Sequence, residues 1–296
     1  MKTITIFTPT YNRAYCLDQL YQSLVRQTNQ DFEWLVIDDG SFDNTEELVQ
    51  KWIAENKIAI RYIYKENGGM HTGHNVAYRL IETELNVCVD SDDYMPDDAV
   101  EIILDFWKKN KDERCAGILG LDIYRDGRIV SNRMFPENIK SGKYYQLKGK
   151  YGISGDIKFV YRTSIINKYP EYPVFKNESF TPLGYKYLLV DQDYDMLFLN
   201  KPLCIVEYLP DGSTKNIIKQ YFKNPNGFIH ERKIRMLYSY TFKERFKNAM
   251  HYVFSCMIIR EKQIIKKSTN KALTILAYPF GILLYKYLKG KYDREK

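Results

Sequence analysis

Over the first 110 residues, short β-favouring runs alternate with single segments of helical periodicity, and that alternation restricts the fold more than any other feature. Thr3 to Thr8 is a β-rich run stopped by Pro9, after which Leu17, Leu20, Tyr21, Leu24 and Val25 recur at helical spacing. Phe32 to Ile37 is a second run and leads into Asp38-Asp39-Gly40-Ser41. Asp43 and Glu46 then have the spacing of a capping box for a helix carrying Leu48, Val49, Trp52 and Ile53. Ile58 to Tyr64 is a third run, followed by the loop Asn67-Gly68-Gly69 and a helix through Val76, Ala77, Leu80 and Ile81. Val87 to Val89 is a fourth, with a helix from Ala99 to Trp107 behind it. Strands separated by single helices make a parallel sheet covered on both faces, so the expected class is α/β, a doubly wound and mostly parallel sheet. Ligands of such sheets gather beyond the carboxyl ends of the strands. Thr8–Arg13, Asp38–Ser41, Asn67–Asn75 and Asp90–Asp93 all follow strands and therefore converge on one edge.

The chemistry of these loops is specific. An extended run ending in Asp90-Ser91-Asp92 brings alternate acids toward one point. Carboxylates held together repel unless a cation lies between them, and Mg²⁺ and Mn²⁺ take oxygen ligands. Asp90 and Asp92 are therefore candidates for one end of a metal–diphosphate site. The plainer alternative is an acidic strand-to-helix loop in which Asp93 or Asp97 caps the next helix. Thr8-Pro9-Thr10-Tyr11-Asn12-Arg13 combines a rigid turn, an aromatic face and hydrogen-bonding groups, which together can hold a base and ribose. Asp38 and Asp39 can accept from ring N–H groups or ribose hydroxyls, and Gly40 lets a ligand approach the backbone. His71, Gly73, His74 and Asn75 fall at a helix start, where free N–H groups favour phosphate. For the two histidines the alternative is a solvent-exposed position.

In order and spacing, Pro9-Thr10-Tyr11-Asn12, Asp38-Asp39-Gly40-Ser41, Glu66-Asn67-Gly68-Gly69 and Asp90-Ser91-Asp92-Asp93 resemble the family 2 glycosyltransferases with the GT-A fold. The resemblance covers roughly residues 1–215 and is strongest over 1–100. It implies an inverting transferase that takes a nucleotide-diphosphate sugar, a UDP-sugar favoured, with a divalent cation (Mn²⁺ or Mg²⁺). It also implies a glycan acceptor, lipid-linked in the assembly of bacterial surface polysaccharide such as capsule. Carried over by position, Pro9, Tyr11, Asp39 and Asn67 line the nucleoside pocket, with Thr8, Arg13 and Gly69 in the same loops. Asp90, with Ser91 beside it, faces ribose or donor sugar, and Asp92 binds the metal together with Asp90. His74 stands where the family often has an arginine, at the donor diphosphate.

Direct displacement also needs a base within reach of the acceptor hydroxyl. The family usually supplies it from an acidic pair downstream of Asp-x-Asp, and this chain has no clean copy. Glu178, in Asn177-Glu178-Ser179-Phe180, is the first candidate and Asp156, in Ser154-Gly155-Asp156, the second. A related subgroup has a glutamate after Phe-x-Pro, where Phe180-Thr181-Pro182 is here followed by Leu183. Asp191, Asp193 and Asp195 read as a structural loop between a strand and the next strand, Met196 to Leu199. Tyr208 to Thr214, after a last strand Leu203 to Glu207, resembles a segment that closes over the donor phosphates, with a plain turn as the alternative.

The five cysteines are scattered, odd in number and without a Cys-x-x-Cys pair, which points to reduced thiols and no zinc site. A strand begins almost at once, leaving no room for a signal peptide, so the expected location is cytoplasmic, at the inner face of the cell membrane. Residues 243–296 hold thirteen Lys/Arg against four Asp/Glu, whereas residues 1–242 are nearly neutral. The expected organisation is a catalytic domain over 1–215 and a basic helical region over 216–296. In that region Ala272 to Leu288 is apolar but is broken by Pro279 and Gly281 and interrupted by Lys286. It is at the short limit of a membrane span, and its flanking lysines suit an interfacial or re-entrant helix pair better. The alternatives are a helix pair closing the core and a homodimer contact. A nucleotidyltransferase fits less well, because the loop after the first strand lacks glycines. A nucleic-acid-binding protein needs a basic motif edge, and this one is acidic. Intact Asp90 and Asp92 oppose a non-catalytic nucleotide-binding relative of the same fold.

Overall fold

The computed structural model describes residues 2–207 and 216–294, which form two compact units. One comprises Met1–Pro170 with Asp193–Leu209, the other Glu171–Gln192 with Pro210–Lys296. The proposed closing segment, Tyr208 to Thr214, lies outside the described residues.

The first unit opens with β1 (Ile4–Thr10), α1 (Ala14–Val25), β2 (Phe32–Asp38), α2 (Thr45–Glu55), β3 (Ile60–Tyr64), α3 (Met70–Leu80), β4 (Leu85–Cys88) and α4 (Ala99–Asn110). It continues with β5 (Cys115–Ile123), β6 (Ser141–Gly142), α5 (Gln146–Tyr151), β7 (Ile157–Arg162) and α6 (Thr163–Ile166). After α7 (Gly184–Asp193), β8 (Asp195–Ile205) completes one eight-stranded sheet in the order β3-β2-β1-β4-β7-β5-β8-β6. The first half is parallel, as the alternation requires. Beyond β4 the sheet turns mixed: β7 runs antiparallel to both β4 and β5, while β5 and β8 are parallel.

Three local expectations change. Pro9 does not stop β1; it pairs with Ile37 of β2 inside the strand. The Phe7 carbonyl accepts from Val89 N–H at 3.0 Å, so the missing N–H of Pro9, two residues on, faces the side where β4 has already ended at Cys88. No ladder bond is lost. The Asp43–Glu46 capping box does not form. Asp43 instead accepts from Ala14 N–H at 3.0 Å and Thr45 N–H at 3.1 Å, tying the β2 loop to the start of α1. The aspartates 191 and 193 close a helix, α7, rather than a loop between strands. The sheet face under α1 and α2 is sealed by Tyr21, Trp34 and Trp52, with Tyr21 stacked on Trp52 at 4.3 Å.

The second unit holds α7 up to Gln192 together with α8 (Ile217–Lys223), α9 (Pro225–Tyr238), α10 (Phe242–Ile258) and α11 (Lys271–Arg294). Thr241 and Glu244 make a capping box at α10. Pro279 and Gly281 do not break α11, which is continuous for 24 residues. Pro279 is on the exposed face, where water can satisfy the freed carbonyl, and Gly281 lets α11 press on α10: a Cβ there would lie 2.5 Å from that of Val253.

Candidate active site

The chain builds β2 and β3 on one side of β1, then crosses over to add β4 on the other. Open α/β sheets take ligands in the crevice at such a reversal of strand order, beyond the carboxyl ends. Asp90 to Asp93 form a turn there rather than the pleat of a strand end, with Asp93 N–H donating to the Asp90 carbonyl at 3.0 Å. The turn sorts the residues: Asp90 and Asp92 are half-buried, while Ser91 and Asp93 are buried.

Asp93 caps no helix. It points inward, accepting from Glu207 N–H at 3.2 Å and from the Cys204 thiol at 3.8 Å, and it faces Lys158 Nζ at 3.9 Å. Asp97 caps none either; it pairs with Arg26. Lys158, near the start of β7, also pairs with Asp122 of β5 at 3.7 Å. One ammonium between two buried acids leaves an excess negative charge. Burial therefore pushes the Asp93 and Asp122 carboxyls above the usual range, with Lys158 opposing. Burial works against the Lys158 ammonium in turn, but the acids around it, Asp122 foremost, hold its pKa above the ordinary value.

Asp90 and Asp92 offer oxygen alone. The Cys88 thiol donates to Asp90 Oδ1 at 3.8 Å, and burial raises its pKa, so it is a protonated neighbour and not a thiolate ligand. Among the described residues, no group of three or more His, Cys, Asp or Glu side chains is gathered where it could hold a metal. A pair of carboxylates without a third protein ligand fits Mg²⁺ or Mn²⁺, which such proteins hold jointly with substrate phosphates, and does not fit zinc.

The loops after β1 and β2 are stitched together. Asn12, at φ 52°, donates its N–H to Ser41 Oγ at 2.9 Å, and its Oδ1 accepts from Phe42 N–H at 2.9 Å. This sets Tyr11 and Phe42 edge to face at 6.1 Å, 43% and 82% exposed, the open aromatic surface of the crevice. In the sequence, Phe42 is marked only as an aromatic residue in a polar loop. Arg13 stacks on Tyr15 at 5.6 Å, and the Thr8 hydroxyl accepts from Trp34 Nε1 at 3.0 Å inside the unit.

The acidic pair after β2 faces the protein more than a ligand. Asp38 accepts from Tyr62 Oη at 2.6 Å and Ser41 N–H at 2.8 Å. Asp39 is buried and pairs with Lys65. It also accepts from Gly69 N–H at 2.7 Å, Gly68 N–H at 3.0 Å and Asn67 Nδ2 at 3.2 Å, filling the capacity of a carboxylate. It thus shapes the Asn67–Gly69 loop from behind. Gly40 serves the same contact: at φ +84°, a Cβ on it would come 2.7 Å from Asn67 N, so its bareness admits that loop.

Both histidines of α3 are buried rather than exposed. His74, expected at the diphosphate, is walled in: Nδ1 faces Tyr78 Oη at 3.5 Å, Nε2 faces Cys88 Sγ at 3.7 Å, and Phe7 meets its ring edge-on at 5.1 Å. His71 has no hydrogen-bond partner on either ring nitrogen among the described residues. Burial lowers its pKa from 6.5 to about 4, Lys65 adding to the fall and Asp39 opposing it. The folded state thus refuses a proton that the unfolded chain takes up below about pH 6.5, so stability falls as pH drops from there toward 4. The full contribution is about 3 kcal/mol at 1.36 kcal/mol per pKa unit. Urea unfolding of wild type and His71→Phe at pH 7.5 and pH 4.5 checks this: the wild type is expected to lose more stability than the variant, and equal losses overturn it.

Glu178, expected as the base, has both carboxylate oxygens engaged at the start of α9. Oε1 accepts from Asn226 N–H at 2.9 Å and Asn226 Nδ2 at 2.7 Å, and Oε2 from Gly227 N–H at 2.9 Å. That is the work of a helix-terminus anchor. Asp156 is exposed immediately before β7. Because β7 is antiparallel to β4, with Val160 opposite Val87, residues ahead of β7 come out at the edge where β4 releases Asp90. The charge of Asp156 is felt by Asp122, and its loop is pinned through Ser154 N–H to Asn132 Oδ1 at 2.7 Å. Asp191 accepts from Tyr240 Oη at 3.1 Å, Asp193 from Tyr169 Oη at 2.6 Å, and Asp195 pairs with Lys143, all structural roles.

The family model described as Glycosyl transferase family 2 matches residues 5–169. Chondroitin synthase of Escherichia coli is 33% identical over 129 residues, 44% of this chain and 19% of that one, so the chain spans under a fifth of that relative's length. Among solved structures, Staphylococcus aureus TarS 1-349 in complex with UDP-GlcNAc superposes with a TM-score of 0.59 at 17% identity, over 100% of this chain and 93% of that one. The mannosyltransferase PcManGT from Pyrobaculum calidifontis, in complex with GDP-Man and Mn²⁺, gives 0.58 at 15% identity, over 97% and 82%. These likenesses establish the same mostly parallel α/β architecture, the GT-A fold.

Proposed function

The chain belongs to glycosyl transferase family 2, and from that premise we propose that it is a metal-dependent, inverting glycosyltransferase acting on nucleotide sugars. It moves a sugar from a nucleotide-diphosphate sugar, UDP favoured, to a hydroxyl of a glycan acceptor, lipid-linked in the synthesis of a bacterial surface polysaccharide. The observation that carries this reading is the strand reversal at β1, whose crevice receives the open aromatics Tyr11 and Phe42 from one side and the half-buried Asp90 and Asp92 from the other. The UDP-GlcNAc bound by TarS and the GDP-Man and Mn²⁺ bound by PcManGT support the donor class and the cation.

In this reading Tyr11 and Phe42 cover the nucleobase, while Asn67 and the Gly69 backbone, held by Asp39, border the ribose. Asp90 and Asp92 would hold the divalent cation, which when bound would offset charge developing on the departing diphosphate. Asp156 takes the proton of the acceptor hydroxyl as it attacks the anomeric carbon from the face opposite the leaving group, which inverts that centre. Glu178 anchors α9.

A thermal-shift panel of nucleotide sugars with Mn²⁺ or Mg²⁺ tests the reading. One UDP-sugar is expected to raise Tm in the presence of the cation and much less with chelator. A panel without any cation-dependent shift overturns the metal-dependent donor site.

A further inference from the structure

The second unit carries an apolar face that the donor chemistry does not use. Along α11, Leu273, Ala277, Gly281 and Leu288 are buried, packing with α10. Beside that buried face, Leu276, Phe280, Leu283 and Tyr287 follow one another at helical spacing and are 47–63% exposed. The stripe extends onto α10 through a ladder of rings: Phe280 meets Phe246 at 5.5 Å, and Phe246 stacks on Phe242 at 6.2 Å. Phe242 is itself 66% exposed. Isolated exposed apolar residues are ordinary, but a continuous aromatic and aliphatic band two helices wide is not.

The charge around the band says what covers it. Lys243 and Lys247 follow Phe242 on α10, and Lys262 and Lys266 follow that helix; all four are exposed. On α11, Lys286 and Lys289 are exposed, and the Lys291 ammonium lies over the Tyr287 ring at 4.8 Å. No helix among the described residues is long and apolar enough to cross a membrane. An apolar band with aromatic residues, bordered by lysines and too interrupted to span, fits the boundary between headgroups and acyl chains of an anionic bilayer.

We propose that the Phe242–Phe246–Phe280 ladder and the outer stripe of α11 seat the protein on an anionic membrane surface, the band entering the interface and the bordering lysines meeting lipid phosphates. This deepens the reading above, because it brings the enzyme to a lipid-linked acceptor, yet it can be tested without turnover.

Full-length protein is sedimented with vesicles of phosphatidylcholine alone and of phosphatidylcholine with phosphatidylglycerol. Binding is expected to the anionic vesicles and to fall with salt. The triple variant Leu276→Ser, Phe280→Ser, Leu283→Ser is expected to weaken it at least about tenfold. Lys286→Gln with Lys289→Gln and Lys291→Gln is expected to weaken it up to about a hundredfold at low salt. All six side chains are outside the buried core, so unchanged circular dichroism and an unchanged donor thermal shift show that fold and donor site persist. Equal binding to neutral vesicles, or a triple variant that binds like wild type, overturns the proposal. So does a band that proves to join two copies, read as a dimer in light scattering that the Ser variants convert to monomer without change in vesicle binding. None of these outcomes bears on the donor panel, so failure here and failure of the assigned reaction are distinguishable.

Discussion

Asp92→Asn is expected to lower sugar transfer by about three orders of magnitude or more and to remove the Mn²⁺ or Mg²⁺ dependence of donor binding. Asparagine keeps the size of the side chain and one oxygen, so the turn closed by Asp93 N–H on the Asp90 carbonyl survives. What goes is one of the two negative charges on which the proposed cation site rests. A bound divalent ion contributes several kcal/mol to stabilising a departing group, and each 1.36 kcal/mol is tenfold in rate. Initial rates with a UDP-sugar, together with donor titrations with and without chelator, give both readouts. Wild-type rates in the variant, or wild-type rates in chelator, remove the cation from the reaction.

Asp156→Asn is expected to reduce kcat by about 10²- to 10⁴-fold, the range for losing a positioned base, with donor affinity unchanged. Glu178→Gln is expected to do the opposite: near-normal kcat and a loss of about 1 kcal/mol in stability, the scale of a weakened helix cap. The two carboxylates are told apart by their surroundings. Glu178 spends both oxygens on Asn226 and Gly227 at the start of α9, whereas Asp156 precedes β7 at the edge where β4 releases Asp90. Donor affinities by calorimetry and kcat for both variants decide the matter. A Glu178→Gln enzyme that folds, binds donor and does not transfer returns the role to Glu178.

The parallel half of the sheet was readable because each strand from β1 to β4 is a short apolar run followed by one amphipathic helix. The loops were readable because their residue types are rare in combination. Beyond Asn110 the signal fades. β5 contains Gly117 and Gly120, which dilute its β character, and its glycines matter only through partners far along the chain: a Cβ on Gly117 would meet the Val160 carbonyl at 2.0 Å. Lys158 and Asp122 look like ordinary polar positions in strands, and only the mixed pairing around β7 shows that they meet. Side-chain direction was equally hidden. Asp39 and His74 have residue types suited to a ligand, but the first is consumed by the Gly68–Gly69 backbone and the second by its ring neighbours. Pro279 suggested a break because sequence cannot tell an inward proline from an outward one.

The seam between β4 and β7 also bears on how the protein is made. Strands β1 to β4 are all present in the chain by Cys88, so that half can assemble once about α4 has left the ribosome. Leu85 must then wait for Arg162, and Cys115 for Asp195. During that wait β4 is a bare sheet edge with Val87 and its neighbours open to any passing strand, the stage of biogenesis at which a nascent chain most needs a chaperone.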